Sequence, residues 1–563
     1  MELRGFMFDR GLYGIPHTHR TVGSTNTLRP WRVREKMEGL MSLGRTTPAR
    51  LLRSSIALVF AALALVAIVS TTVAASTTAP KNPLVIGIRQ VGQIYDLSAV
   101  LPSEVSAVAA NVTDYMFTRG SNGKIAPSLA TKWEWSTDGK TLTITLRSGV
   151  KFSNGSPFTA NDVVFSWNRL KANGFSDRLA RSLIGWEVVS PTKIIARFGS
   201  AELSFIPQLG PPIMSQAYFD KVGETTFKAK PLGTGPYKFK RIKPGESVEL
   251  EANARYWGKK PSVKRVIMKS IVDDTTRLAA LKTGEADIIM QVPYPKITQI
   301  QKTKGLKTAR LFPSGSSVFI AYKYLSPKTP WSNQNVRAAI AHAIDKEAIS
   351  KKLLKGAVGT FGFLAAGDLG YDKTIYPYEY NPTKAKQLLA QGGYPNGFTI
   401  DLPYISGAVT GVKETAEAVA LYLRQIGINA TPKALEGPAF VQYVLGASRD
   451  PAQDYVAIFI GALAGQPEPT TGLVNSFSAV TPFAWYRNAA VNGLILRAAG
   501  TVDDQQRAAL VKQVQRMIID DYGFTKLWDA ASIYGMKSCI RFKPTRGPFD
   551  LMWVNDVDRS RCK

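Results

Sequence analysis

Three histidines, two cysteines and a few paired acids are the residues of this chain best equipped for chemistry. His17 and His19 stand in a leader-like stretch, which leaves His342, inside the helical run AIAHAID, as the histidine of the body. One imidazole is too few for a zinc or nickel site built on several histidines. Asp273-Asp274 and Asp503-Asp504 are adjacent carboxylates, a residue type used in acid–base catalysis. Each pair precedes a predicted helix, where acids complement the helix dipole, so we read them as caps. The chain has no G-x-x-x-x-G-K-[ST], no H-E-x-x-H and no G-x-S-x-G. No catalytic residue, metal or cofactor is expected, and the chain does not read as an enzyme.

Cys539 and Cys562 are an even pair without metal-type spacing. In an exported chain such a pair points to one disulfide, with two thiols that never meet as the alternative. Export is expected from Ile56–Val69, 14 consecutive apolar residues preceded by Arg45, Arg50 and Arg53 and followed by Val73-Ala74-Ala75. A basic start, a short apolar core and a small-x-small end describe a signal peptide, here cleaved after Ala75. Residues 1–40 fit no part of it and read as lying upstream of a start at Met37 or Met41. No cysteine lies near the cleavage site, so the expected product is periplasmic, soluble and without a lipid anchor.

The chain of 563 residues is long enough for two to four domains. Its net charge of +29 falls to about +23 without residues 1–75. Such a charge admits nucleic acid or anionic lipid as partners. The densest basic stretches, Lys228–Lys243 and Lys259–Lys269, are broken by Pro and Gly beside predicted strands and read as solvated edges.

The elements that would position any site alternate between strand and helix from residue 80 onward. Leu84–Ile88 is a short apolar strand. Lys132–Ser136 and Thr141–Arg147 flank Asp138-Gly139, a pair suited to a tight hairpin turn. Thr159, three residues before Asp162, opens a helix with Val163, Trp167 and Leu170 on one face. Asp273–Thr283 is a helix stopped by Gly284. Val336, Ile340 and Ile344 mark another helix face, and Asn381-Pro382 starts a further helix. Val412, Ala416, Val419 and Leu423 define one more, and Gln505–Asp521 is the last long helix.

The wording of these landmarks closely resembles that of the family 5 extracellular solute-binding proteins, the dipeptide, oligopeptide and nickel receptors of bacterial ABC importers. The resemblance rests on LATKWEWSTDGKTLTITLRSGVKFSNGSPFTANDVVFSWNRL (129–170), GTGPYKF (233–239), NARYWG (253–258), RLAALKTGEADI (277–288), NVRAAIAHAID (335–345) and NPTKAKQLLAQGGYPNGF (381–398), in family order. It implies an α/β fold: a two-lobed periplasmic-binding-protein clamp with a discontinuous first lobe, a small inserted subdomain and two hinge crossings. On this chain lobe I comprises 82–119, 208–312 and 525–563, the inserted subdomain 120–207, and lobe II 313–524. The crossings fall near Pro313 and Phe524. Ligand is taken between the lobes of a monomer and delivered to permease subunits in the inner membrane, driven by separate ATPases.

In peptide-binding members, a Trp-x-x-Asp stretch of the second lobe grips the ligand's amino terminus, and in dipeptide binders a basic residue grips its carboxylate. Aligned through its acid–Pro pair, Phe459–Pro469 puts Ala462 in place of the tryptophan and Gly465 in place of the aspartate. Ser406, after Pro403-Tyr404-Ile405, takes the place of the base. Glu468 is a weaker substitute for the lost acid, because its family counterpart is structural. Small residues at Gly461, Ala462 and Gly465 enlarge the pocket or admit backbone contacts. With Ser314, Ser316, Tyr322, Tyr404, Ser406 and Trp485 they form the expected ligand-binding set. Trp331 and Tyr486 are further candidate aromatics, and core packing is the competing reading for every aromatic named.

The expected function is the periplasmic substrate-binding component of an ABC importer, for peptides or a related organic solute. A receptor for an oligosaccharide or an opine-like conjugate is the alternative on the same fold. An exported chaperone-like peptide binder is the alternative from a different class. A nucleic-acid binder has only charge to support it.

Overall fold

The computed structural model describes residues 82–92, 95, 103–119, 125–172, 182–206, 209–312, 317–322, 329–355, 363–364, 368–375, 378–406, 409–436, 439–440, 442–443, 456–461, 469–478, 486, 488–544 and 552–562. Residues 81–563 form one compact unit. Among the described residues no helix is long and apolar enough to cross a membrane. The leader, the signal peptide and its cleavage site lie outside the described residues.

A seven-stranded sheet gathers strands from distant parts of the chain, in the order Leu306–Leu311, Ser532–Lys537, Ile288–Ile289, Leu84–Ile88, Arg265–Ser270, Ser247–Ala252, Tyr237–Lys243. Leu84–Ile88 runs parallel to both of its neighbours, and the outer pairs are antiparallel. The basic stretches lie on this sheet and at its margins. Lys238 pairs with Glu251 at 2.8 Å and Lys240 with Glu249 at 3.2 Å, while Arg265 also reaches Glu249. The charge here is thus laced with acids across strands.

A four-stranded antiparallel sheet is inserted between the first strand and the rest, in the order Ala130–Trp135, Thr141–Leu146, Lys193–Phe198, Leu183–Ser190. Its hairpin turns at Gly139, whose φ of 66° is costly for a residue with a Cβ. Asp138 Oδ1 fastens the turn by accepting from Ser136 Oγ at 2.6 Å and the Lys140 amide at 3.0 Å. The helix Ala160–Ala172 covers this sheet with Val163, Trp167 and Leu170 buried. Asp162 Oδ2 reaches back to the Thr159 amide at 2.9 Å, the reciprocal half of a capping box.

A smaller sheet joins Val456–Gly461, Ser317–Tyr322 and Phe524–Asp529, with Ser317–Tyr322 in the middle. Phe398–Ile405 and Ile428–Leu435 form a parallel pair connected through the helix Val412–Gln425. The chain passes between the large and small sheets twice, once between Leu311 and Ser317 and once between Asp529 and Ser532. Phe524–Asp529 completes its pairing with Ser317–Tyr322 before the second passage.

One apolar core spans both passages. Ile271, Leu281, Ile289 and Tyr294 from the large-sheet side pack with Val318, Trp331, Val419 and Trp528 from the other. Each fully buried side chain of this size contributes roughly 1.5–3 kcal/mol of transfer free energy, so the junction is itself a core.

Several of the motif residues serve this frame. Asp114 Oδ2 accepts from Thr234 Oγ1 and from Trp257 Nε1, both at 2.8 Å. Gly235 donates to the Val112 carbonyl at 2.9 Å, and a Cβ at Gly235 would stand 2.5 Å from the Val112 carbonyl carbon. The buried Arg277 donates to the carbonyls of Ile271 at 2.8 Å and of Val272, Met290 and Gln291 at 3.2 Å. At the C-terminal end Cys539 and Cys562 are joined as a disulfide, with Cα atoms 5.1 Å apart.

Candidate functional site

The two passages bring three strand ends together. Ser317 is the first residue of its strand after the first passage, and Asp529 is the last of its strand before the second. Register sets Gly461 opposite Ser317 on one side and Asp529 opposite it on the other. The irregularity between Val318 and Phe319 lets Lys526 and Asp529 act from one strand on one group of atoms. Lys526 Nζ stands 2.9 Å from Asp529 Oδ1, and Ser317 Oγ donates to the same oxygen at 2.6 Å. The pair is enclosed, with Lys526 at 6% and Asp529 at 0% side-chain exposure. Among the described residues Asp529 Oδ2 is buried without a hydrogen-bond partner. Lys526 Nζ also lies 3.5 Å from the Phe363 carbonyl.

The expected ligand-binding residues divide. Gly461 ends its strand beside Ser317. Ser314, Ser316, Ala462, Gly465 and Trp485 lie outside the described residues. Tyr322 sits at the opposite end of the strand from Ser317, roughly 16 Å away at strand rise. It is buried in the core, with its hydroxyl 2.7 Å from Thr525 Oγ1. Tyr404 is buried in the same core, and burial raises its pKa. Ser406 is half-buried and its amide donates to the Leu435 carbonyl at 2.8 Å, prolonging the parallel strand pair. Trp331 is also core, and Tyr486 is buried beside Phe477. The structure therefore brings Gly461 to the Ser317–Asp529 junction and places Tyr322, Tyr404 and Trp331 in the core.

Lys526 and Asp529 were missed from sequence. Their signal was FTKLWDAA, a run whose two charges stand three apart among apolar neighbours. Charges in such a run are buried only when paired.

The remaining chemistry-bearing residues are occupied elsewhere. Asp273 and Asp503 cap their helices by accepting from the Thr276 and Gln506 amides. His342 is buried, with Nδ1 2.9 Å from the Glu379 carbonyl and Nε2 3.3 Å from the Tyr522 hydroxyl. Burial lowers its pKa, which favours the neutral ring. Among the described residues no group of three or more His, Cys, Asp and Glu is placed to hold a metal. A cavity of about 620 Å³ opens over Asp345–Ala348, Lys351, Lys352 and Tyr378–Tyr380. Lys346 beneath it donates to the carbonyls of Ala341 and Tyr378, and burial brings its pKa down to about 8. Glu347 pairs with Lys351 at 2.7 Å, so the lining carries no single charge preference.

Residues 124–482 match the family described as bacterial extracellular solute-binding proteins, family 5. The chain belongs to this family. Family 5 proteins are binding components of ABC importers and not enzymes, and this chain is one of them. It is 30% identical over 447 residues to heme-binding protein A of Haemophilus influenzae, covering 71% of this chain and 78% of that protein. It is 28% identical over 429 residues to the glutathione-binding protein GsiB of Escherichia coli, covering 73% and 82%. Among solved structures it resembles the ABC transporter-associated periplasmic binding protein DppA from Helicobacter pylori in complex with the peptide STSA. There the TM-score is 0.74 at 26% identity, over 84% of this chain and 97% of that one. The two-lobed clamp of this family is the fold of the chain.

Proposed function

We propose that this protein is the periplasmic receptor for a peptide or an amino-bearing organic solute, captured between two lobes that close about the paired passages at Ser317 and Asp529. Lobe I would comprise 82–119 and 208–312 with the C-terminal segment, lobe II would start at 313, and 120–207 would be an insertion in lobe I. The carrying observation is the side-by-side placement of both passages, since adjacent crossings leave rotation about one axis as the least obstructed motion. The DppA resemblance supports a peptide, and the GsiB resemblance supports a peptide-like conjugate. The partners would be permease subunits of the inner membrane with separate ATPases, served by a monomeric receptor freed from its signal peptide after Ala75.

Native mass spectrometry of the protein purified gently from the periplasm tests this reading. The expected result is one discrete added mass that fragments as a peptide or amino conjugate, on a polypeptide starting at residue 76. A sugar mass would move the assignment to an oligosaccharide. A spectrum without added mass, and no thermal shift with peptides or sugars, would remove the receptor reading.

A further inference from the structure

We propose that Asp529 is the acid that holds a protonated amine of the captured solute, with Lys526 neutralising it in the unliganded protein. The proposal rests on the receptor reading and names the group that reading leaves open. Asp529 has one oxygen committed, to Lys526 Nζ at 2.9 Å and Ser317 Oγ at 2.6 Å. The other, Oδ2, is enclosed with no donor among the described residues. A carboxylate oxygen removed from water and left unpaired is costly, and proteins keep few of them. An ammonium supplies both the missing donor and a favourable charge.

Position supports the same assignment. Asp529 is the last residue of its strand before the chain passes to the large sheet, and it flanks Ser317 across from Gly461. Gly461, on the other side of Ser317 from Asp529, brings no side chain to this end of the sheet. Lys526 and Asp529 are therefore the charges that the described strands supply there. In the proposed closure about the passages, opening would expose Oδ2 and closing would bury the group that pairs with it. An incoming ammonium adds positive charge to a neutral pair, so binding is strongest for a solute that carries its own anion, as amino acids and peptides do.

The test uses the full chain purified from the periplasm, beside Asp529→Asn and the double variant Lys526→Gln/Asp529→Asn. Released solute is treated with an amine-selective reagent, and its binding, free and N-acetylated, is measured by calorimetry. We expect a reactive primary amine, loss of binding on acetylation, and affinity about a hundredfold weaker in both variants with circular dichroism unchanged. If Asp529→Asn alone fails to fold, the double variant, which strands no buried charge, carries the comparison. A solute without an amine, or variants that bind as the parent does, overturns the role of Asp529 while leaving the receptor reading intact. A parent that releases nothing, and binds no member of a free-amine tripeptide library, overturns both.

Discussion

Ser317 Oγ donates a 2.6 Å hydrogen bond to Asp529 Oδ1, joining residues 212 positions apart at the two passages between the sheets. The acceptor is charged and the bond is fully enclosed, which places it among the stronger single hydrogen bonds of a protein. Replacing Ser317 by Ala should cost about 1.5–3 kcal/mol of stability, read from urea unfolding. A change below about 0.5 kcal/mol would mean that Lys526 alone satisfies Oδ1.

The disulfide between Cys539 and Cys562 closes a segment with a sequence separation of 23. Loop-closure entropy gives such a link about 3 kcal/mol. Cys539→Ser with Cys562→Ser should lower the unfolding midpoint, and the parent under reductant should behave like the double variant. Reductant without effect on the parent would show that the link is absent in solution.

Asp114 sets a pH dependence with an unusual sign. Burial, the largest influence, pushes its pKa up to about 6 despite the bonds from Trp257 and Thr234. The folded pKa lies above the unfolded value near 4, so the folded state holds this proton more tightly. The contribution is present below about pH 4 and is lost as pH rises through about 6. Relative to Asp114→Asn, the parent should therefore lose up to about 3 kcal/mol between pH 4 and pH 7. Parallel stability curves for the two proteins would contradict the raised pKa.

Gly235 has backbone for a neighbour. A Cβ there would approach the Val112 carbonyl carbon to 2.5 Å and the Thr113 amide nitrogen to 2.7 Å. Neither atom has a rotamer to retreat into. Gly235→Ala should destabilise by about 1–3 kcal/mol or more, visible as a lower melting temperature. A neutral result would require the Val112–Asp114 segment to shift and weaken the bonds to Asp114.

Much of the frame was readable because its signals are local. Asp138-Gly139, Thr159 with Asp162, and the Val412 to Leu423 periodicity each carry their geometry within a few residues, and each forms as expected. The family wording concentrates on such positions, and residues like Thr234, Trp257 and Arg277 prove to be joints of the scaffold. The junction was less legible, since Ser317, Gly461 and Asp529 meet only through strand pairing over long separations. Aromatic residues left two readings open for a related reason. Tyr322 and Tyr404 have the amphipathic character of ligand walls, but tertiary packing places both in the core. The expected crossing near Phe524 falls at the start of a strand, Phe524–Asp529, that pairs in the small sheet through strand register rather than through any local signal.

The strand Ser532–Lys537 fills the slot between Leu306–Leu311 and Ile288–Ile289. A ribosome delivers it after the strands on both sides of it have been made. Until then Leu306–Leu311 has no neighbour in the large sheet, and Ile288–Ile289 presents an open edge. Pairings this distant in sequence are slow to form. The order of synthesis therefore leaves the large sheet in two parts until Ser532–Lys537 has been made.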